Sequence, residues 1–171
     1  MSSKICFIGI RDEIDIWKQF GASIDMFENA IEKCPDELWN NKETIVWYWA
    51  FHTLFYTDYY LSEDPDNFHP PEPFTLSEFE EGTMPPKVYT KEELISYTKF
   101  CREKCRKLLA GLTEEKAMNR WINKWKNYSM FEMIIYNMRH VQHHTGQLNL
   151  LLGQIDHDLP VWVSQTKISL N

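Results

Sequence analysis

A chain of 171 residues is the size of one domain, and 43% hydrophobic with 15% aromatic residues is enough for a packed core, so neither disorder nor a miniprotein scaffold is expected. The formal charge of −7 and an isoelectric point near 5.4 have the wrong sign for a phosphate-binding surface, which argues against a nucleic-acid binder. No run reaches the roughly 20 apolar residues of a membrane helix, no secretory leader is evident, and Cys6, Cys34, Cys101 and Cys105 are too scattered for a disulfide framework, so a soluble cytoplasmic protein without membrane partners is expected.

The chain opens on an apolar, strand-like run, Cys6 to Ile10, too isolated to build a sheet. Ile14, Trp17, Gly21, Ile24, Phe27 and Ile31 then recur at steps of three and four, which predicts a helix over about 11–33 that Pro35 ends. A second helix, about 44–61, is dense in aromatics and stops at Asp64 and Pro65. The connection that follows, about Ser62 to Tyr89, holds six of the eight prolines and one short helical turn at Ser77 to Glu81. Its length lets it cross the end of a helical bundle, so the helices on either side need not be antiparallel neighbours. A third helix, about 90–112, opens with a capping box, Thr90 to Glu93, and carries Leu94, Tyr97, Cys101, Cys105, Leu108 and Leu112 on one face. The fourth, about 130–155, opens at Ser129 with Glu132 three residues on and continues through Phe131, Ile134, Met138, Val141, Leu148, Leu152 and Ile155. Four amphipathic helices with no period-two segment predict one all-α domain over 1–171, a four-helix bundle. The sequon at Asn127 is read as a chance match.

The chemistry lies in the histidines. At 100 degrees per residue, His140 and His144 fall about 40 degrees apart on the fourth helix, one turn along its axis, where two imidazoles can converge on one ion. Both lie on the flank of the apolar stripe, whereas His143 points towards solvent or a partner chain. Two inward imidazoles require either a polar core network or a metal. His52, on a helix-two face shared with Ile45, Tyr48, Trp49, Phe55, Tyr56 and Tyr59, is by itself either a hydrogen-bonded core residue or a third ligand. Val141 stands where the zinc-protease motif needs its glutamate, so peptide hydrolysis by that route is unsupported. His69 and His157 read as surface residues, and Cys101 and Cys105 as small core residues.

The helix-two histidine in its aromatic setting, Trp47 to Tyr60, and the stretch from Asn137 to Leu148 together resemble the DinB superfamily of four-helix bundles. The family's pattern of His, three residues, His, one residue, Gly-Gln is filled by His140, His144, Gly146 and Gln147. The resemblance implies a three-histidine metal site of His52, His140 and His144, with the remaining positions left to water or substrate. It also implies a metal-dependent small-molecule enzyme, a transferase or hydrolase. The named example is S-transfer from a low-molecular-weight thiol of the bacillithiol or glutathione kind. A noncatalytic metal-dependent ligand-binding or stress-response protein is the alternative. Three imidazoles suit Zn or Ni, with Fe and Mn as further choices. Tyr48, Tyr56 and Tyr59 are candidates to donate a proton or orient substrate, and Asn137 and Gln147 to support the helix-four pair. Gly146 and Gly153, opposite the core face, make a small-residue surface on which a homodimer is expected.

Overall fold

A computed structural model describes residues 10–155 and 158–171; Cys6, most of the apolar run and His157 lie outside the described residues. In chain order the elements are α1 (Ile10–Lys33), α2 (Asp36–Trp39), α3 (Val46–Tyr60), α4 (Lys91–Ala110), α5 (Glu114–Met118), β1 (Arg120–Ile122), β2 (Asn127–Ser129) and α6 (Met130–Gln154). Among the described residues the chain is mostly helical, and its strands are the antiparallel pair β1 and β2, in register with Trp121 opposite Tyr128.

Helix α1 packs on α4 and α6, and α3 packs on the same two. Each long helix supplies the stripe that its period predicts: Trp17, Ile24, Phe27 and Ile31 from α1, Leu94, Tyr97, Cys101 and Cys105 from α4, and Ile134, Val141, Leu148 and Leu152 from α6 are all buried. Helix α3 differs, because it is apolar nearly all round and buries residues on most of its faces, as a helix in the middle of its neighbours must. It starts two residues later than the sequence suggests. The chain enters it through Ile45, held left-handed at φ 43°, where Ile45 N–H donates to the Asn41 carbonyl at 3.0 Å.

Three polar contacts, two of them buried, fix how the helices sit. Asp58 of α3 is 1% exposed, accepts from Tyr97 Oη at 2.9 Å and pairs with Lys104 Nζ at 2.5 Å. Burial pushes its carboxyl up, while Lys104 and the Tyr97 hydroxyl pull it down. Arg102 of α4 forks onto Asp25 at 3.0 Å and Glu28 at 2.6 Å on α1. Asn137 of α6 donates through Nδ2 to the Thr57 carbonyl of α3 at 2.9 Å, both groups buried.

The long connection between α3 and α4 does not separate them, since the two helices touch. It earns its length by contributing core: Phe74 stacks on Tyr97 at 4.2 Å between ring centroids, Phe68 meets Phe55 at 5.4 Å, and Tyr89 lies 4.9 Å from Phe51. Such ring pairs add about 0.5–1.5 kcal/mol each beyond burial. Within it, Leu76–Phe79 forms a 3-10 turn near the one expected at Ser77. At the α4 and α6 starts, Thr90 and Glu93 make the full reciprocal capping box, whereas at Ser129 only the forward half forms, its hydroxyl accepting from Glu132 N–H. Two expectations are corrected. The segment Arg120–Ser129 is a β-hairpin, because its three-residue strands are too short to show period two, and Ile155 is 47% exposed just past the α6 end.

Residues 158–171 return across α1 and α4. Thr166 N–H donates to the Lys18 carbonyl at 3.0 Å, Trp17 Nε1 to Ile168 O at 2.8 Å, and Arg106 to Leu170 O at 2.6 Å. Gly21 permits this approach, since a Cβ there would stand 2.5 Å from Thr166 Cγ2. Cys34, Cys101 and Cys105 are buried free thiols, and burial pushes Cys34 up to about 11, so none is poised as a nucleophile.

Candidate metal centre

His52 projects from the middle of α3, and His140 and His144 from successive turns of α6, onto the seam where these two helices meet. One nitrogen from each ring lies within 4.8 Å of the others, so the three imidazoles can hold a metal ion. Ring centroids are 4.6 Å apart for His140 and His144, 5.0 Å for His52 and His144, and 5.8 Å for His52 and His140.

Two rings are oriented from behind. His52 Nδ1 stands 2.7 Å from Glu78 Oε2, and a carboxylate only accepts, so Nδ1 carries a proton and Nε2 is the nitrogen left for a ligand role. His144 Nδ1 lies 2.6 Å from Gln147 Oε1, one turn on along the same helix, with the same result. The third ring, His140, buries both nitrogens with no hydrogen-bond partner. Buried imidazole nitrogens cost free energy when left unpaired, so this donor set fits a cation rather than a hydrogen-bonded network. Burial, with His144 and His52 adjacent, pushes His140 down to about 2; burial pushes His144 down to about 4 against the opposing pull of Gln147. Both rings therefore stay neutral, the form that ligates, at any physiological pH.

Aromatic rings enclose the cluster. Tyr56 lies 4.8 Å from His52 and 6.2 Å from His140, Tyr60 is 5.7 Å from His140, and the half-exposed Trp49 stacks on His144 at 6.2 Å. Beside His52 and His140 a pocket of about 320 Å³ opens, walled by Tyr56, Tyr59, Tyr60, Tyr136, Asn123, Trp125 and Lys126. Burial and the neighbouring Glu78 carboxylate push the Tyr48 and Tyr56 hydroxyls up to about 12, so both hold their protons.

Tyr48 stands beside His52, at 6.4 Å between rings, and Tyr56 donates to the Glu78 backbone carbonyl at 3.1 Å. Tyr59 reaches the pocket, where Asn123 Nδ2 donates to its hydroxyl at 3.3 Å, but is not placed against the imidazoles. Gln147 touches His144, whereas Asn137 spends its amide on the Thr57 carbonyl and joins helices rather than supporting a histidine. His143 and His69 are exposed. Glu78, Tyr60, Asn123, Lys126 and Tyr136 have no forerunner in the sequence reading. Glu78 had one available signal, its position inside the short turn expected at Ser77 to Glu81, but a carboxylate in a proline-rich connection otherwise reads as solvated.

No family model matches the chain, and no curated protein matches it.

Proposed function

We propose that the chain is a divalent-metal-dependent enzyme acting on a small molecule, a four-helix bundle of the DinB-like type that uses His52, His140 and His144 as ligands and performs thiol S-transfer. The observation that carries the reading is the convergence of three imidazole nitrogens within 4.8 Å of one another at the edge of an aromatic pocket. The packing of α1 and α3 on α4 and α6 supports the bundle, and the run from His140 to Gln147 supports the family. Zn or Ni fits three imidazoles best, with Fe and Mn as alternatives.

A bound divalent ion supplies Lewis acidity that favours the thiolate form of a thiol at neutral pH. Three imidazole ligands would leave room beside such an ion for a reactant. The chain's own residues supply the rest. Glu78 and Gln147 hold two of the rings through Nδ1, Tyr48 stands beside His52 with its hydroxyl protonated, Tyr56 braces the Glu78 backbone, and the tyrosine walls line the space for an electrophile. In the transfer, sulfur bonds to the electrophilic carbon as that carbon's bond to halide or to the epoxide oxygen breaks, and the thiol proton leaves with the halide or ends on the opened oxygen. No oxidant or reductant is needed.

A low-molecular-weight thiol of the bacillithiol or glutathione class, a cytoplasmic setting and a homodimer complete the reading. Gly146 leaves its part of the α6 surface open to a second copy, while Gly153 is approached by Leu159 of the same chain at 3.9 Å. Elemental analysis of untagged protein tests the centre: one divalent ion per chain is expected, lost in the His52→Ala, His144→Ala double variant. Absence of any ion after incubation with Zn or Ni overturns it. Loaded protein should then consume thiol with halogenated or epoxide electrophiles, and no metal-dependent consumption across several thiols removes the transferase.

A further inference from the structure

The pocket beside the histidines differs in charge from the rest of the molecule. The chain carries −7, yet no aspartate or glutamate walls the pocket, and Lys126 is its charged residue. Lys126 ends the turn between β1 and β2, and that turn is built to hold it. Asn123 Oδ1 accepts from Trp125 N–H at 2.9 Å and from Lys126 N–H at 2.8 Å, and Asn123 N–H donates to the Lys126 carbonyl at 3.0 Å. The ammonium is placed over two pocket rings, 5.2 Å from the centre of Tyr136 and 5.5 Å from that of Tyr60. Cation–π contact of this kind orients the ammonium without neutralising it. Among the described residues no carboxylate forms an ion pair with Lys126, although nine lysine or arginine ion pairs occur elsewhere.

We infer that the pocket binds a small organic monocarboxylate, with its carboxylate on the Lys126 ammonium and its apolar body along Tyr56 and Tyr59 towards His52 and His140. The inference rests on the reading of this pocket as the substrate side of the metal centre. A single ammonium and no guanidinium fork suits one negative charge better than a phosphate dianion, which recruits paired donors or a helix N-terminus. Ring faces on the opposite wall suit an aromatic or otherwise flat body, and a volume of about 320 Å³ admits a compact one. The carboxylate end thus fixes which carbon of the ligand is presented to the histidines.

Calorimetric titration of the full chain with benzoate and its neutral isostere benzamide tests this, on zinc-loaded and on chelator-treated protein. Benzoate should bind about tenfold or more tightly than benzamide in both preparations, the usual margin for a charge-assisted contact. Lys126→Met should abolish the preference and Lys126→Arg should retain it. The preference should also shrink as salt is added, a readout on wild type that stands if the Met variant does not fold. Equal binding of the two ligands overturns the inference, as does a preference that survives Lys126→Met or that appears only with zinc. Phenyl phosphate binding more tightly than benzoate overturns the monocarboxylate class. A chain that takes no metal yet prefers benzoate through Lys126 defeats the enzyme reading and leaves this one standing. One that takes zinc and ignores ligand charge does the reverse.

Discussion

His52 Nδ1 and Glu78 Oε2 lie 2.7 Å apart although 26 residues separate them in the chain, so the proline-rich connection delivers an acceptor to the outer edge of a ring whose inner edge faces the other two histidines. Glu78 is nearly buried, and the hydrogen bond both sets the His52 tautomer and makes its second nitrogen a better donor. The connection is therefore a working part of the centre.

Removing that acceptor should weaken the centre without destroying it. Glu78→Ala is expected to lower zinc affinity by about 10- to 100-fold, and Glu78→Gln by less, because an amide oxygen still accepts from Nδ1. Competition against a chromogenic chelator reads both values. Unchanged affinity in Glu78→Ala would detach Glu78 from the metal.

His140 should show a conflict between stability and binding. Its two nitrogens are buried and unpaired, so His140→Leu is expected to stabilise the metal-free protein by about 1–3 kcal/mol while abolishing metal uptake. Denaturant melts of both proteins in chelator provide the comparison. A less stable variant would show that the imidazole already has a partner.

Acid should act on the metal-free protein through the same rings. His140 is held down at about 2 and His144 at about 4, against an ordinary value of 6.5 in the unfolded chain. Below pH 6.5 the unfolded chain takes up protons that the folded site refuses, so stability present above that pH is lost as pH falls towards 4, and the His140 share continues to fall towards 2. Melting temperature plotted against pH should drop more steeply in this window for wild type than for His140→Leu. Parallel curves would refute the linkage.

Asp58 separates fold from site. Asp58→Ala removes the carboxylate from Lys104, leaving it only the backbone carbonyl of residue 58, and strips the partner from the Tyr97 hydroxyl inside the α3 and α4 contact, with an expected cost of about 3 kcal/mol. Zinc stoichiometry and affinity, measured well below the melting temperature, should stay at wild-type values. A parallel loss of metal would mean that the α3 position, and not only its ligand, is set by Asp58.

The parts legible in the sequence are those written within one helix. Trp17, Ile24 and Phe27 announce a buried stripe because neighbours on a helix recur every three or four residues, and His140 with His144 is legible for the same reason. His52 needed a second helix to acquire meaning, because periodicity within α3 does not say which histidines it will face. Lys126 and Tyr136 left no trace and Glu78 only its place in an expected turn, because their relationship to the histidines arises only when a connection and a hairpin fold over the seam. Trp121 and its exposed neighbours Arg120 and Ile122 do alternate, but three residues are too few to distinguish a strand from chance. Trp49, expected on the core face of its helix, instead covers His144 from the solvent side.

The near contact of Gly21 with Thr166 makes a side chain of one atom decisive for a distant stretch of the molecule. A methyl group at position 21 would wedge residues 164–170 outward and strip Trp17 Nε1 of its acceptor, Ile168 O. Water would then reach an indole that is 1% exposed in the intact fold, so the Trp17 share of the emission, isolated from the other six tryptophans by difference against Trp17→Phe, would report whether that last stretch is seated. The segment after α6 is thus an outer strap held on α1 at Thr166 and Ile168, whose latch is the absence of a side chain.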